Sequence, residues 1–257
     1  MREALLRGSD ISVSYRGVKA VRNVSIEVRP GEVLGLIGPN GAGKTSIIDG
    51  ISGFTPIEGS VELCGNSLDR APAFRRRRRG LSRTWQSVAL FDDLTLLENV
   101  TITSGASGDA APRGRATRSE GLEKLAMVGL GAHAHRLPGE LSHGQRVLVG
   151  IARALTGSPR VLLLDEPAAG LDDHESRALI GLIREFVTLE TGLLLVDHDM
   201  GLMMTVCDRL QVLDFGSTIA EGAPEAIATD PVVVAAYLGT ALESDSEQEP
   251  HPAGGER

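Results

Sequence analysis

The sequence predicts an α/β fold with buried parallel strands at its centre, and three stretches predict it. Val33-Leu-Gly-Leu-Ile37, Val161-Leu-Leu-Leu164 and Leu193-Leu-Leu-Val196 are short, mostly aliphatic runs, which suit strands covered on both faces. Each ends in residues that carry chemistry: the glycine-rich stretch after Ile37, the pair Asp165-Glu166, and Asp197-His198-Asp199. In open α/β sheets, ligands gather beyond the carboxyl ends of such strands. The chain has 257 residues; 42% are hydrophobic and only 3% aromatic, so the core must be aliphatic.

In chain order, Asp10 to Tyr15 and Val24 to Arg29 alternate apolar and polar residues, as half-buried antiparallel strands do. Tyr15 closes the first. Its ring can be an ordinary strand tyrosine or can stack on a base, and residue type alone leaves both open. Pro30-Gly31-Glu32 turns the chain into the Val33–Ile37 strand. Then comes Gly38-Pro39-Asn40-Gly41-Ala42-Gly43-Lys44-Thr45-Ser46. It fits G-x-x-x-x-G-K-[ST] at Gly38, Gly43, Lys44 and Thr45, and Ser46 to Ile51 opens a helix behind it. Glycines let the backbone wrap an anion with several N–H groups inward, and the helix adds its positive end. Lys44 is placed to meet outer phosphates and the Thr45 hydroxyl to meet Mg²⁺. The stretch therefore reads as a nucleoside-triphosphate site.

Gly59 to Leu63 reads as a further strand. Arg75 to Arg79 is an unbroken run of arginines. With Arg70 and Arg83 it makes seven bases and no acids over fourteen positions. The commoner explanation is a solvated, self-repelling helix face; docking at an anionic lipid surface is the sharper alternative. Leu81 to Trp85 reads as a strand ending at Gln86. Ala89 to Phe91 and Leu94 to Val100 have apolar residues at helical spacing. Ser104 to Ser119 reads as an exposed connection, and Glu120 to Val128 as a short amphipathic helix.

Leu141-Ser142-His143-Gly144-Gln145 follows. Ser142 is a good N-cap, and Gln145 stands where a capping box wants Glu or Gln. Capping accounts for Ser142 fully; an offer of the helix end to a phosphate accounts for it equally. At the next strand end, Asp165 is suited to hold Mg²⁺ through water and Glu166 to polarise an attacking water. Buried unpaired carboxylates would otherwise be costly. Asp173 to Leu189 reads as an amphipathic helix. His198 follows a core strand on the same edge, which favours a role at the γ-phosphate. Leu210 to Leu213 and Ser217 to Ala220 read as a hairpin turning at Phe215-Gly216, and Pro224 to Leu238 as a helix.

Net charge is −8, which argues against a general nucleic-acid binder. The stretch from Glu243 to Arg257 has five acids against one base and reads as disordered. Cys64 and Cys207 lie far apart and read as free thiols of a reducing cytosol. No stretch reaches 18 consecutive apolar residues, and MREALLRGSD has no apolar signal core. A function at a membrane would then run through a partner.

Together these motifs resemble the ATP-binding-cassette ATPases, over residues 8 to 240. The resemblance implies a P-loop (RecA-like) core with an antiparallel β subdomain and an inserted α-helical subdomain. It places the β subdomain and phosphate-loop part in 8–86, the helical subdomain in 87–158, the rest of the core in 159–240, and a disordered acidic tail in 241–257. It makes Gln86 a Mg²⁺ ligand and sensor of the membrane partner, and Tyr15 the adenine-stacking aromatic. Leu141 to Gln145 matches the family's LSGGQ signature, with His143 where the general pattern has glycine. Ala169 to Asp172 matches the D-loop, and His198 the switch histidine. ATP would sit between Lys44 of one subunit and Ser142, His143, Gly144, Gln145 and Asp172 of a second, with Glu166 and His198 catalytic and Thr45, Gln86 and Asp165 around Mg²⁺.

Arg83-Thr-Trp-Gln86, Asp165-Glu-Pro-Ala-Ala-Gly-Leu171 and Val196-Asp-His-Asp-Met200 resemble the ATPase subunits of branched-chain amino acid importers, as do Gly222-Ala-Pro-Glu225 and Ala236-Tyr-Leu-Gly239. That implies integral membrane permease subunits, a second ATPase subunit, a solute-binding protein acting indirectly, and a peripheral place on the cytoplasmic face. The alternatives are a lipopolysaccharide-export ATPase, or a cassette ATPase of DNA or the ribosome. Only residues 87 to 141 separate Gln86 from Ser142, with no sustained heptads for a long coiled coil. A P-loop kinase or GTPase would have no use for the signature helix.

Overall fold

A computed structural model describes residues 3–85, 89–102 and 115–237. Gln86, the 241–257 tail and most of the Ser104–Ser119 connection lie outside these residues.

The two antiparallel strands predicted near the N-terminus are longer than the alternation implied and pair as a hairpin: β1 runs Leu6–Tyr15 and β2 Val18–Val28. Irregular register near Asp10 and Asn23, both at positive φ, breaks the alternation at its edges. With β4 (Glu58–Leu63) and β5 (Asn66–Ser67) they form a four-stranded sheet, order β2-β1-β4-β5.

The second sheet holds β3 (Val33–Ile37), β6 (Leu81–Arg83), β7 (Val161–Asp165), β8 (Gly192–Val196), β9 (Arg209–Asp214) and β10 (Ser217–Gly222), in the order β10-β9-β3-β8-β7-β6. All neighbours are parallel except β9 and β10, the predicted hairpin. The aliphatic runs sit at its centre and are buried on both faces. Leu34, Leu36, Leu163, Leu194 and Val196 face one core with α1 (Lys44–Ser52) and the antiparallel sheet. Val33, Ile37, Leu162, Leu164, Leu193 and Leu195 face another. That second core is closed by α3 (Leu96–Thr101), α4 (Arg115–Met127), α5 (His143–Leu155), α6 (Asp173–Phe186) and α7 (Met200–Val206). No aromatic ring is among the described buried residues, as composition required.

Several boundaries differ from expectation, most for a local reason. The 89–91 stretch is not helical: buried Asn99 binds the Phe91 amide and carbonyl and the Leu94 carbonyl at 2.8 to 3.0 Å, fixing a loop that a Thr95–Glu98 capping box ends. The described part of α4 begins at Arg115, five residues before the expected Glu120. β6 stops at Arg83, whose side chain turns into the core of the site. The α6 helix stops at Phe186, where Thr188 and Thr191 close a turn on each other. The helix expected over Pro224–Leu238 is two pieces: α8 is Pro224–Ala228, and helix resumes at 231–237. Pro231 has no N–H, and Asp230 Oδ1 caps the Val232 amide at 2.8 Å.

The arginine run is only partly a solvated face. It forms α2 (Ala73–Arg78), with Arg75, Arg78 and Arg79 exposed. Arg76 is buried, and its guanidinium donates to the carbonyls of Gly50 (3.1 Å), Ile51 (2.6 Å) and Ala71 (2.8 Å), so it caps the end of α1. Arg77 reaches the carbonyls of Arg153, Ala154 and Thr156 at 2.8 to 3.2 Å and caps the end of α5.

Candidate nucleotide site

Three strand ends build the site. Val196 of β8 pairs with Leu36 of β3 on one side and Asp165 of β7 on the other. The glycine-rich loop after β3, the carboxylates ending β7 and the histidine turn after β8 therefore leave the sheet side by side at one level.

The loop from Gly38 to Ser46 needs its glycines. Gly38 lies at φ 151, and a Cβ there would meet the Leu213 carbonyl oxygen at 2.1 Å. Gly43 lies at φ 102, with the Ala20 carbonyl 2.6 Å from where its Cβ would be. Gly43 is the N-cap of α1 and offers no side chain, and the first turn carries no acid. The helix end is thus a field without its own counter-charge. Lys44 is buried and donates Nζ to the Gly38 and Pro39 carbonyls at 2.6 and 2.9 Å. Burial lowers its pKa, and the nearby Glu166 and Asp165 charges oppose that. Thr45 is exposed at the mouth of the loop.

Asp165 is 2% exposed. Burial raises its pKa, while Arg83, with Nη2 at 2.9 Å from Oδ2, pulls it down. Its Oδ1 is buried and has no hydrogen-bond partner among the described residues. An orphaned carboxylate oxygen beside a phosphate loop fits a divalent cation or a water bound to one. Glu166 stands at φ 48, a left-handed conformation uncommon for a glutamate. Its amide is held by the Val196 carbonyl at 2.7 Å, and its Oε2 lies 4.0 Å from His198 Nδ1. His198 is 65% exposed, as a group that meets a ligand must be.

Asp197 and Arg83 complete the arrangement, and sequence reasoning assigns a site role to neither. Asp197 is buried and accepts from the His198 and Asp199 amides through Oδ1 and from Ala168 through Oδ2. It fixes the histidine turn to the loop that follows Glu166. Arg83 binds Asp49 and Ser52 of α1 as well as Asp165, and lies 4.3 Å from the Trp85 ring centroid. Its place two residues inside the end of the expected Leu81–Trp85 strand, amid an arginine-rich stretch, gives no separate signal.

The remaining predicted residues lie elsewhere. Tyr15 ends β1, 43% exposed, its hydroxyl 3.5 Å from Thr55 Oγ1. Ser142 is the N-cap of α5, and both halves of the capping box with Gln145 are formed. His143 directs Nε2 at the Ala169 carbonyl, 3.1 Å away. Gly144 is buried and Asp172 caps α6. Among the described residues the hydrogen bonds of Ser142 run within α5 and to Glu175, none to the phosphate loop.

A glycine-rich anion cradle, a buried metal-type carboxylate, a strained glutamate and an exposed histidine on one edge of a parallel sheet define a P-loop nucleotide-hydrolysing cassette. Comparison with known proteins agrees. The ABC transporter family profile matches residues 21–169, and the profile for branched-chain amino acid ATP-binding cassette transporters matches residues 217–243. The high-affinity branched-chain amino acid transport ATP-binding protein LivG of Salmonella typhimurium is 38% identical over 94% of this chain and 100% of its own. BraF of Pseudomonas aeruginosa, of the same description, is 36% identical over the same shares. The ADP conformation of an ATP-binding cassette of an ABC transporter superposes with TM-score 0.84 at 29% identity, covering 92% of this chain and 99% of that one. A dimeric, post-hydrolysis cassette bound to ADP and Pi superposes with TM-score 0.76 at 26% identity, covering 85% and 98%. This chain belongs to the ABC transporter family and is one of its ATPases.

Proposed function

We propose that the chain is the ATP-hydrolysing subunit of an importer for branched-chain amino acids or related small polar solutes, peripheral on the cytoplasmic face of the membrane. The level edge at Val196 carries the chemistry, because it sets the phosphate loop, Glu166 and His198 around one point. The 38% identity to LivG over its whole length supports the solute class. No helix among the described residues is long and apolar enough to cross a membrane, so transport needs permease subunits.

ATP lies on Gly38 to Ser46, with Tyr15 stacked on adenine and Lys44 released from its own carbonyls onto the outer phosphates. Thr45, Asp165 and Gln86 would hold Mg²⁺, which when bound would supply positive charge where the phosphate develops negative charge. Glu166 orients the attacking water and accepts its proton, and His198 donates to the γ-phosphate. The left-handed backbone at Glu166 aims its carboxylate, and the Val196 carbonyl keeps it there. Ser142, Gly144 and Gln145 meet the nucleotide of a second ATPase subunit, identical or not, with Asp172 beside them. His143 points toward Ala169, so its side chain does not cover the end of α5, which supports activity despite the missing glycine. In this reading residues 8–86 and 159–240 make the core and 87–158 the helical arm. A solute-binding protein acts outside the membrane.

The test is Glu166→Gln. It should bind ATP with Mg²⁺, accumulate as a dimer in sedimentation velocity, and lose hydrolysis by at least about 100-fold, as when one charge-stabilising group leaves a reactive centre. Wild-type turnover from this variant would refute the role of Glu166.

A further inference from the structure

The end of α5 that the proposed function presents to a partner's nucleotide already holds an anion. Ser142 Oγ donates to Glu175 Oε1 at 3.2 Å and accepts from the Gln145 amide at 3.2 Å. Its one hydroxyl proton is therefore committed within the chain. The same carboxylate rests on the backbone of the first turn: a Cβ on Gly144 would lie 2.3 Å from the carboxyl carbon and from Oε1 of Glu175. α5 has no acid of its own in that turn, so Glu175, from α6, is the negative charge at its positive end. Glu175 is itself pinned. Its amide donates to Asp172 Oδ1 at 2.8 Å and its Oε2 accepts from the Asp172 amide at 3.3 Å. His143, on the Ala169 carbonyl, ties the same turn to the loop leading into α6.

We infer that Glu175 is a positioning residue that stands in for the γ-phosphate. It latches Ser142 and Gly144 inside the free subunit until the nucleotide of a second subunit displaces it. The inference rests on the trans nucleotide contact proposed above. A carboxylate and a terminal phosphate compete for one hydroxyl proton and one helix end, and cannot hold both at once. When the phosphate arrives, Glu175 keeps its bond to the Asp172 amide, so displacement requires only that Oε1 swing away. The latch raises the ATP concentration needed for closure and keeps nucleotide-free subunits apart.

Glu175→Gln separates the latch from the helix cap, because glutamine serves the third position of a capping box as well as glutamate. The experiment titrates ATP with Mg²⁺ against dimer formation by sedimentation velocity, in Glu166→Gln and in Glu166→Gln/Glu175→Gln. Half-maximal closure should come at about three- to ten-fold lower ATP in the double variant, the scale of one charge at a helix N-terminus. The gap should narrow at high salt. Thermal melting should fall by no more than the few degrees that one helix-end charge supplies, whereas a merely structural role for Glu175 would lower melting without lowering the ATP requirement. An equal or higher ATP requirement overturns the latch while leaving the proposed function intact. A Glu166→Gln protein that stays monomeric at saturating ATP overturns both. Glu175→Ala, checked for fold by circular dichroism, should lower the ATP requirement in the same direction; if it does not, the latch also fails.

Discussion

Both oxygens of Asp197 are committed: Oδ1 accepts from the amides of His198 (2.8 Å) and Asp199 (3.0 Å), and Oδ2 from that of Ala168 (3.1 Å). One buried carboxylate thus holds the turn carrying His198 against the loop leaving Glu166, and the His198–Glu166 spacing depends on it. Asp197→Ala strips three backbone donors of their acceptor. It should lower unfolding stability by about 1 to 3 kcal/mol, the cost of buried donors left unmade, as read from urea midpoints. ATP turnover should fall with it even at temperatures where the variant is fully folded, because the histidine turn is then free to drift. Unchanged turnover in the folded variant would show that the turn holds itself. Arg83 works at the same scale. It bridges Asp49 of the phosphate-loop helix to Asp165 at the end of β7, leaving Asp165 Oδ1 without a partner among the described residues.

At the scale of elements, α2 shows how one sequence signal can divide into opposite roles. Four consecutive arginines on a short helix, with Arg79 at its C-cap, cannot all face water, and the two that turn inward meet the C-terminal carbonyls of α1 and α5. Burial pushes Arg77 down to about 10, still charged at neutral pH, so it remains a full counter-charge to the negative end of α5. Arg77→Ala should cost about 2 to 4 kcal/mol, since several buried carbonyls lose their donor. Arg78→Ala, on the exposed side, should stay within about 0.5 kcal/mol. Paired urea titrations decide it, and equal costs would mean that the run is a solvated face after all. The same contrast explains what the sequence could reveal. Periodicity located β3, β7 and β8, whose aliphatic runs have one physical solution, and the spacing of glycines and acids located the edge they share. It could not tell Arg77 from Arg78, because the distinction lies in carbonyls 76 or more residues away. Nor could it see that α6 supplies Glu175 to α5 across 33 residues, or that Asn99 would unmake a helix at 89–91. Local turn chemistry was legible where the partners lie within three or four positions, as at Ser142 and Gln145.

At the scale of the whole molecule, the proposed importer role asks where a membrane subunit would press so that both nucleotide helices respond. Phe54, Phe74, Trp85, Phe91 and Ile102 are each 44% or more exposed and line one groove of about 900 Å³. Its floor includes Arg77 and Arg83. A surface with so many exposed aromatic and aliphatic side chains around one concavity is shaped for a partner. The wall carrying Phe74 is α2, whose arginines hold the far ends of α1 and α5, and the near ends of those helices are the phosphate loop and Ser142. A segment seated in the groove is therefore joined by a single short helix to both halves of the nucleotide site. Phe74→Glu should leave the fold and the ATP hydrolysis of the isolated subunit within about two-fold of the parent, because the side chain lies on the surface and touches no site residue. Co-expressed with its permease and purified from membranes, the variant should lose the complex by roughly 30-fold in affinity, the scale of one aromatic anchor at about 2 kcal/mol. Retention of the complex at the parent's yield would move the docking surface away from this groove, and with it the route by which ATP closure reaches the membrane.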